Sequence, residues 1–284
     1  MRRKNSILLY LICTILILSI IYIYINNFNI NENFQLNNKK FYKCVILIID
    51  HSHILKDSST NEYKRVYAFK NVWKKYINSD PDILGLFICA DETLKNGEYR
   101  FDMNSNTLYT AGKECLEPCI LEKTLFAMKY TVEHYNFDYL LRTNISTFFV
   151  LPKLKKSFEL LGKTKIFKGP ILTSTIVHGC NLLFSKDVIE KLISDIPSIL
   201  NKCKKIDDHC ITEEIISYNI PIIDCPYYEF VINNFESIDN KIKQNDTDDI
   251  YCFRNKNYKG NADTEGTNKD IAIINKLYDY FYRF

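Results

Sequence analysis

FDYLLRTNISTFFV, running from Phe137 to Val150, decides how this chain is read. Tyr139, Leu140 and Leu141 form an apolar run that ends in a polar knot, Arg142-Thr143-Asn144-Ile145-Ser146-Thr147. A second apolar run follows at once. A short apolar run bounded in this way predicts a buried strand. The knot is the part that needs a chemical explanation.

Similar runs stand on either side. CVILIID (44–50) and DILGLFICADE (82–92) read as two more buried strands, TLYT as a short one, and KIFKGPILTS and IPIID as later strands. Between them lie helical patterns. In EYKRVYAFKNVWKKYIN (62–78), Tyr63, Val66, Phe69, Val72, Trp73 and Tyr76 recur at helical spacing. PCILEKTLFAMKYTVEHY (118–135) has Pro118 in its first turn. LPKLKKSFELLG closes at Gly162, and SKDVIEKLISDI takes Ser185 as N-cap. DDHCITEEIISYN and the C-terminal KDIAIINKLYDYFYRF complete the helices, and 236–249 reads as polar loop. Strands that are apolar throughout and alternate with helices predict an α/β fold, a mostly parallel sheet with helices on both faces. Ligands of such sheets bind beyond the C-terminal strand ends. Here those ends carry Asp50-His51, Ala90-Asp91-Glu92 and Arg142 to Ser146.

The 284 residues are 46% hydrophobic and 14% aromatic, enough for a sizeable core, and the net charge of +3 does not point to nucleic acid. Residues 7–25, ILLYLICTILILSIIYIYI, contain no charge. At 1.5 Å per residue they span roughly 28 Å, about a bilayer's hydrocarbon thickness. Arg2, Arg3 and Lys4 precede them, which favours a cytoplasmic N-terminus. The run is longer than a cleavable signal's core and lacks a small-residue cleavage site, so it reads as one N-terminal transmembrane helix. The expected order is a cytoplasmic tail (1–6), the anchor (7–25), a stem (26–40) and a lumenal body (41–284), as in a single-pass type II membrane protein. Nine of the ten cysteines lie in that body. Cys115/Cys119 and Cys203/Cys210 suit local disulfides in an oxidising lumen, whereas Cys44 and Cys89 sit in apolar strands. Asn245-Asp-Thr is a glycosylation sequon.

The order of these elements resembles the fringe-like and β1,3-galactosyltransferase-like glycosyltransferases along 42 to about 220. Arg65-x4-Lys70-x2-Trp73 is similar to that family's early basic-basic-Trp helix. Glu114, Ile120-Leu121 and Lys123-Thr124 resemble its acidic residue and Lys-Thr step. FDYLLRTNISTFFV resembles the strand that carries its acidic metal motif, Gly179-Cys-Asn-Leu-Leu-Phe-Ser185 its Gly-x-x-Tyr-x-x-Ser segment, and Asp207-Asp208 its acidic pair. The resemblance implies a GT-A-like (Rossmann-like) fold, a Golgi-type location, a nucleotide sugar such as a UDP-sugar as co-substrate, and a glycan or glycoprotein acceptor. The implied enzyme is a hexosyl- or N-acetylhexosaminyl-transferase. Two departures stand out. Asn144, Ile145 and Ser146 replace the three acids, and no histidine follows His209. Hard cations prefer carboxylate oxygens, so this sequence assigns no metal ligand and makes a divalent metal doubtful.

An inverting transfer needs a base for the acceptor hydroxyl and compensation for the departing diphosphate's charge. Asp208 or its neighbour Asp207 is the expected base, although acids in a helix's first turn also simply offset its dipole. Arg142, Asn144, Ser146, Arg254 and Asp91 are the expected donor and phosphate contacts. Asp50, Lys256 and His178 are further candidates, and His51 and His53 read as surface residues. The alternative is a catalytically inactive relative that binds glycan or serves as a partner subunit.

Overall fold

Six of eight strands in the main sheet run the same way, and the reason lies in side chains that are apolar on both faces. The computed structural model describes residue 17 and residues 39–173, 176–230, 238–255 and 264–283. The chain divides after Lys40, and the unit Phe41–Phe284 carries everything described below. Its strands are β1 (Phe41–Ile49), β2 (Ile83–Asp91), β3 (Tyr99–Asp102), β4 (Thr107–Ala111), β5 (Asn136–Asn144), β6 (Thr147–Phe149), β7 (Phe167–Gly169), β8 (Ile171–Thr173), β9 (Ile176–Val177), β10 (Leu182–Ser185), β11 (Ile222–Asp224), β12 (Tyr228–Phe230) and β13 (Cys252–Asn255). The α-helices are α1 (Asn61–Tyr76), α2 (Cys119–His134), α3 (Leu151–Phe158), α4 (Lys186–Ser194), α5 (Ile196–Lys202), α6 (Asp207–Ser217), α7 (Ile238–Gln244) and α8 (Thr264–Tyr282).

The main sheet has the order β11-β7-β10-β5-β1-β2-β4-β3. Neighbours β5, β1, β2 and β4 are parallel, as are β7 and β11, while β10 and β3 run against them. In β1, Cys44, Ile46 and Ile48 face one core and Val45, Leu47 and Ile49 the other, which is the period-2 alternation of a strand buried on both sides. The first core takes Val66, Phe69, Trp73 and Tyr76 of α1 and Ile273, Ile274 and Leu277 of α8. The second takes Leu121, Leu125 and Met128 of α2 and Val188, Ile189 and Leu192 of α4. Each such side chain contributes about 1.5–3 kcal/mol when fully buried.

The ends of α1 and α8 are tied down by polar groups. Thr60 caps α1, its hydroxyl accepting from the Tyr63 N–H at 3.2 Å. Tyr282 stacks on Tyr76 at 4.7 Å between ring centroids, donates to Phe149 O (3.0 Å) and accepts from Leu151 N (2.7 Å). The C-terminal helix therefore holds the β6–α3 junction, which directly follows the polar knot.

Four expectations need correction. KIFKGPILTS is not one strand: β7 belongs to the main sheet and β8 pairs only with β9, because Pro170 interrupts the ladder. The 236–249 stretch contains α7, whose Ile238 and Ile242, four apart, are buried on one face. Helix α3 ends at Phe158, short of Gly162, and Tyr139 donates to the Leu161 and Gly162 carbonyls (3.2 and 2.9 Å). Ser185 is the N-cap residue of α4, but its hydroxyl donates to Asp187 Oδ1 (2.5 Å) and accepts from Ile166 N (2.9 Å) instead of capping. Both local disulfides form, Cys115–Cys119 and Cys203–Cys210, and the remaining five body cysteines are free and buried. The expected membrane anchor, apart from Ile17, lies outside the described residues. Among the described residues no helix is long and apolar enough to cross a membrane.

Candidate functional site

Beyond the C-terminal ends of β1 and β2 the chain builds a closed ionic floor. Asp50, fully buried, accepts at Oδ2 from Lys70 Nζ (2.7 Å) and Ser52 Oγ (2.8 Å), and at Oδ1 from Ser52 N (2.8 Å). Burial alone would raise this carboxyl; Lys70 and Ser52 outweigh it and hold the pKa below its ordinary value. Lys123 on α2 donates to the Asp50 carbonyl (2.9 Å) and to Glu114 Oε2 (2.7 Å), while Glu114 Oε1 takes the Ala90 N–H (2.6 Å). Two acids and two lysines thus neutralise one another out of water. Asp50 is committed to this floor, with both carboxylate oxygens bonded to Lys70 and Ser52.

At the end of β5 the geometry changes. Arg142 is 2% exposed and its guanidinium binds the Asp207 carboxylate and the Gly179 carbonyl. Burial pushes the Asp207 carboxyl above its ordinary value and Arg142 works against that shift. The sequence reading aimed Arg142 at a donor phosphate; the fold turns its charge inward instead. Asp208, the next residue on α6, accepts from the Gly179 N–H at Oδ2 (3.1 Å) and from its own helix at Oδ1 (His209 N, 2.9 Å). A Cβ on residue 179 would stand 2.6 Å from Arg142 Nη1 and 3.1 Å from Asp208 Oδ2, so only glycine lets the turn lie this close to both. The strand end, the Gly179 turn and the acidic pair, well separated in sequence, meet in one cluster.

Arg254 of β13 comes to the same turn. Its Nη1 lies 3.2 Å from His178 Nδ1 and 3.8 Å from Glu229 Oε2. His178 Nδ1 also receives the Cys180 N–H (3.0 Å), so that nitrogen is the unprotonated acceptor of the ring. Burial would raise the Cys180 thiol, but Cys252, His178 and Arg254 pull it down to about 6. Lys256 lies outside the described residues.

The knot itself is positioned by backbone. Trp73 Nε1 donates to Ile145 O (2.9 Å), and Asn255 N donates to Ser146 O (3.0 Å). Asn144 and Ser146 are half-buried, and their side chains make no hydrogen bond to other described residues. One amide, one isoleucine and one hydroxyl do not fit a hard divalent cation, because no carboxylate oxygen is present among them. Asp91 ends β2, where its carboxylate takes Thr93 Oγ1 (2.6 Å), Thr93 N (2.9 Å) and Arg100 Nη2 (2.7 Å). The Thr93 and Arg100 bonds hold it at about 2. It lines a cavity of about 590 Å³ together with Glu92, Thr93, Lys113 and Glu114. The structure therefore brings Asp207, Asp208, Arg142, Arg254 and His178 together, with Asn144 and Ser146 at the end of β5 and in the turn that follows it; Asp91 borders the neighbouring cavity.

Sequence reasoning passed over three groups. Cys180 gave no signal beyond its place after Gly179. His53, read as a surface residue, has a buried Nδ1. Asp270 of α8 is buried 3.5 Å from Arg65, and burial pushes it up to about 6 against the pull of that arginine. A carboxylate inside an amphipathic C-terminal helix reads as solvent-facing until the partner helix is known.

No family model and no curated protein matches the chain. Solved structures similar to it include a glycosyltransferase involved in the glycosylation of the major capsid of PBCV-1. That protein is 11% identical over 81% of this chain and 98% of its own, with a TM-score of 0.47. The galactosyltransferase LgtC, in complex with donor and acceptor sugar analogues, is 10% identical over 82% and 95%, with a TM-score of 0.40.

Proposed function

We propose that this chain is a membrane-anchored glycosyltransferase with a GT-A-like body, moving a sugar from a nucleotide-diphosphate donor to a hydroxyl of a glycan or glycoprotein. One observation carries the reading. The five segments that resemble the fringe-like enzymes are tied together through polar groups: Lys70 and Lys123 both bind Asp50, Trp73 donates to Ile145 O, Arg142 pairs with Asp207, and Gly179 N donates to Asp208. A scaffold without a site at these strand ends has no need of buried charge there, since apolar replacements of similar volume are often as stable.

In this reading Asp208 is the general base. Each of its oxygens accepts one backbone N–H and keeps a second lone pair, enough to take the acceptor's proton. As the acceptor oxygen bonds to the anomeric carbon, the bond to the diphosphate breaks on the opposite face, which inverts the configuration. Asp207 is the positioning residue: its pairing with Arg142 fixes the first turn of α6. Charge on the departing diphosphate is met by Arg254, with Asn144 and Ser146 as hydrogen-bond partners, and without a hard cation at 144–146. Residues 7–25 anchor the body on the lumenal side of an ER- or Golgi-type membrane. The inactive partner-subunit reading draws on the same missing acids.

The test is incubation of the full chain in detergent with labelled UDP-sugars and glycan acceptors. Transfer that is not raised by added Mg²⁺ or Mn²⁺ supports both parts of the proposal. Strict dependence on either ion removes the fixed-cation part, and no turnover with glycan binding retained supports the partner-subunit reading.

A further inference from the structure

We propose that His53, Cys89 and Glu114 bind a divalent transition-metal ion of the zinc class, with one coordination position open to the cavity beside them. The inference goes beyond the transferase reading and stands whether or not the chain transfers a sugar.

The three residues come from separate segments: the 3-10 turn Ser52–Ile54 after β1, the inner part of β2, and the loop before α2. Their ligand atoms all lie within 4.8 Å of one another. His53 Nδ1 is buried and has no hydrogen-bond partner, a condition that costs about 1–3 kcal/mol in a finished fold. The ring is held edge-on to Tyr109, with 5.6 Å between centroids and 87° between planes, so the unpaired nitrogen has a fixed direction. Cys89 Sγ makes only a long contact, 3.7 Å to Asp50 Oδ2. Each Glu114 oxygen accepts one N–H and keeps a lone pair.

One imidazole nitrogen, one sulfur and one carboxylate oxygen form a donor set for zinc and a poor one for magnesium or calcium. Tetrahedral zinc at ordinary bond lengths sets its ligands roughly 3.5 Å apart, so closure asks for shifts of about 1 Å. Lys70 and Lys123 are already matched by Asp50 and Glu114, and Cys89 gives its thiol proton to solvent on binding, so the bound ion and thiolate leave one positive charge, which an anionic oxygen in the open position would neutralise. His53 and Glu114 line the cavity of about 590 Å³, and Cys89 lies beneath them. Three protein ligands with a fourth position on a cavity is the arrangement of zinc sites that bind water or an anionic oxygen of a ligand.

The test is titration of the full chain with Co²⁺, whose bonding to thiolate produces a charge-transfer absorption, followed by competition with Zn²⁺. One equivalent of Co²⁺ that gives this band and is displaced by Zn²⁺ is the expected result. His53→Ala, which removes a half-exposed side chain, weakens binding by at least the roughly 10-fold that even an outer-shell loss costs. Cys89→Ser abolishes the charge-transfer band. Absence of the band in the unaltered chain overturns the proposal. So does a band unchanged in His53→Ala, which would move the ion to the other buried thiols even if Cys89→Ser failed to fold.

Discussion

Arg142 and Asp207 form an ion pair with neither side chain more than 6% exposed, one at the end of β5 and the other opening α6. The pair joins the polar knot of Phe137 to Val150 to the acidic step that follows the Gly179 turn. It also means that the most obvious cation of the knot is already occupied.

Removing one partner should therefore act on stability first. Arg142→Ala leaves Asp207 buried and unpaired, and should cost about 3–5 kcal/mol in urea unfolding. Arg142→Met combined with Asp207→Leu should recover most of that loss. An Arg142→Ala chain as stable as the original would return Arg142 to a phosphate-facing role.

Gly179→Ala tests the turn packed between Arg142 and Asp208. The new methyl group meets Arg142 Nη1 and Asp208 Oδ2, so overpacking should cost about 1–3 kcal/mol. Sugar transfer should fall by more than the melting temperature suggests, because the new methyl group pushes the Asp208 carboxylate off the residue-179 N–H. Unchanged transfer would separate Gly179 from the site.

Trp73→Phe keeps the aromatic packing and deletes the bond to Ile145 O. The expected loss is about 1–3 kcal/mol, because the Ile145 carbonyl is left buried without its donor. If the knot contacts the donor, KM for the nucleotide sugar should rise more than kcat falls. A pure stability loss with unchanged kinetics would argue against that contact.

Asp270 predicts a pH dependence with a definite sign. Its carboxyl titrates near 6 when folded and near about 3.9 when unfolded, so between those values the folded chain binds more protons. Stability from this group is fully present below about pH 4 and is lost as pH rises through about 6. The span is at most about 3 kcal/mol. Asp270→Asn should remove that part of the slope in melting curves taken from pH 4 to 7, and an unchanged slope would place the titration elsewhere.

The sheet was legible because β1, β2 and β5 are apolar on both faces, and helices with periodic Phe, Trp and Leu had nowhere else to pack. Both disulfides were legible because four and seven residues of separation allow few other partners. The site was legible only in part. Strand ends announced where polar residues gather, but not that Arg142 would turn inward or that Asp50 would close on Lys70, since burial at a strand end depends on which helix covers it. His53 and Asp270 were missed for the same reason: their surroundings come from elements far away in the chain. Helix α7 hid behind a run of Asn, Asp and Lys because two isoleucines are enough to bury one face.

The most direct test of the central claim is sugar transfer by the full chain before and after Asp208→Asn. The account predicts transfer from a nucleotide sugar by the unaltered chain and a loss of at least about 100-fold in the variant, with its melting temperature maintained. Full transfer by Asp208→Asn would contradict the assignment of the base, and no transfer or donor hydrolysis by the unaltered chain with any nucleotide sugar would contradict the function itself.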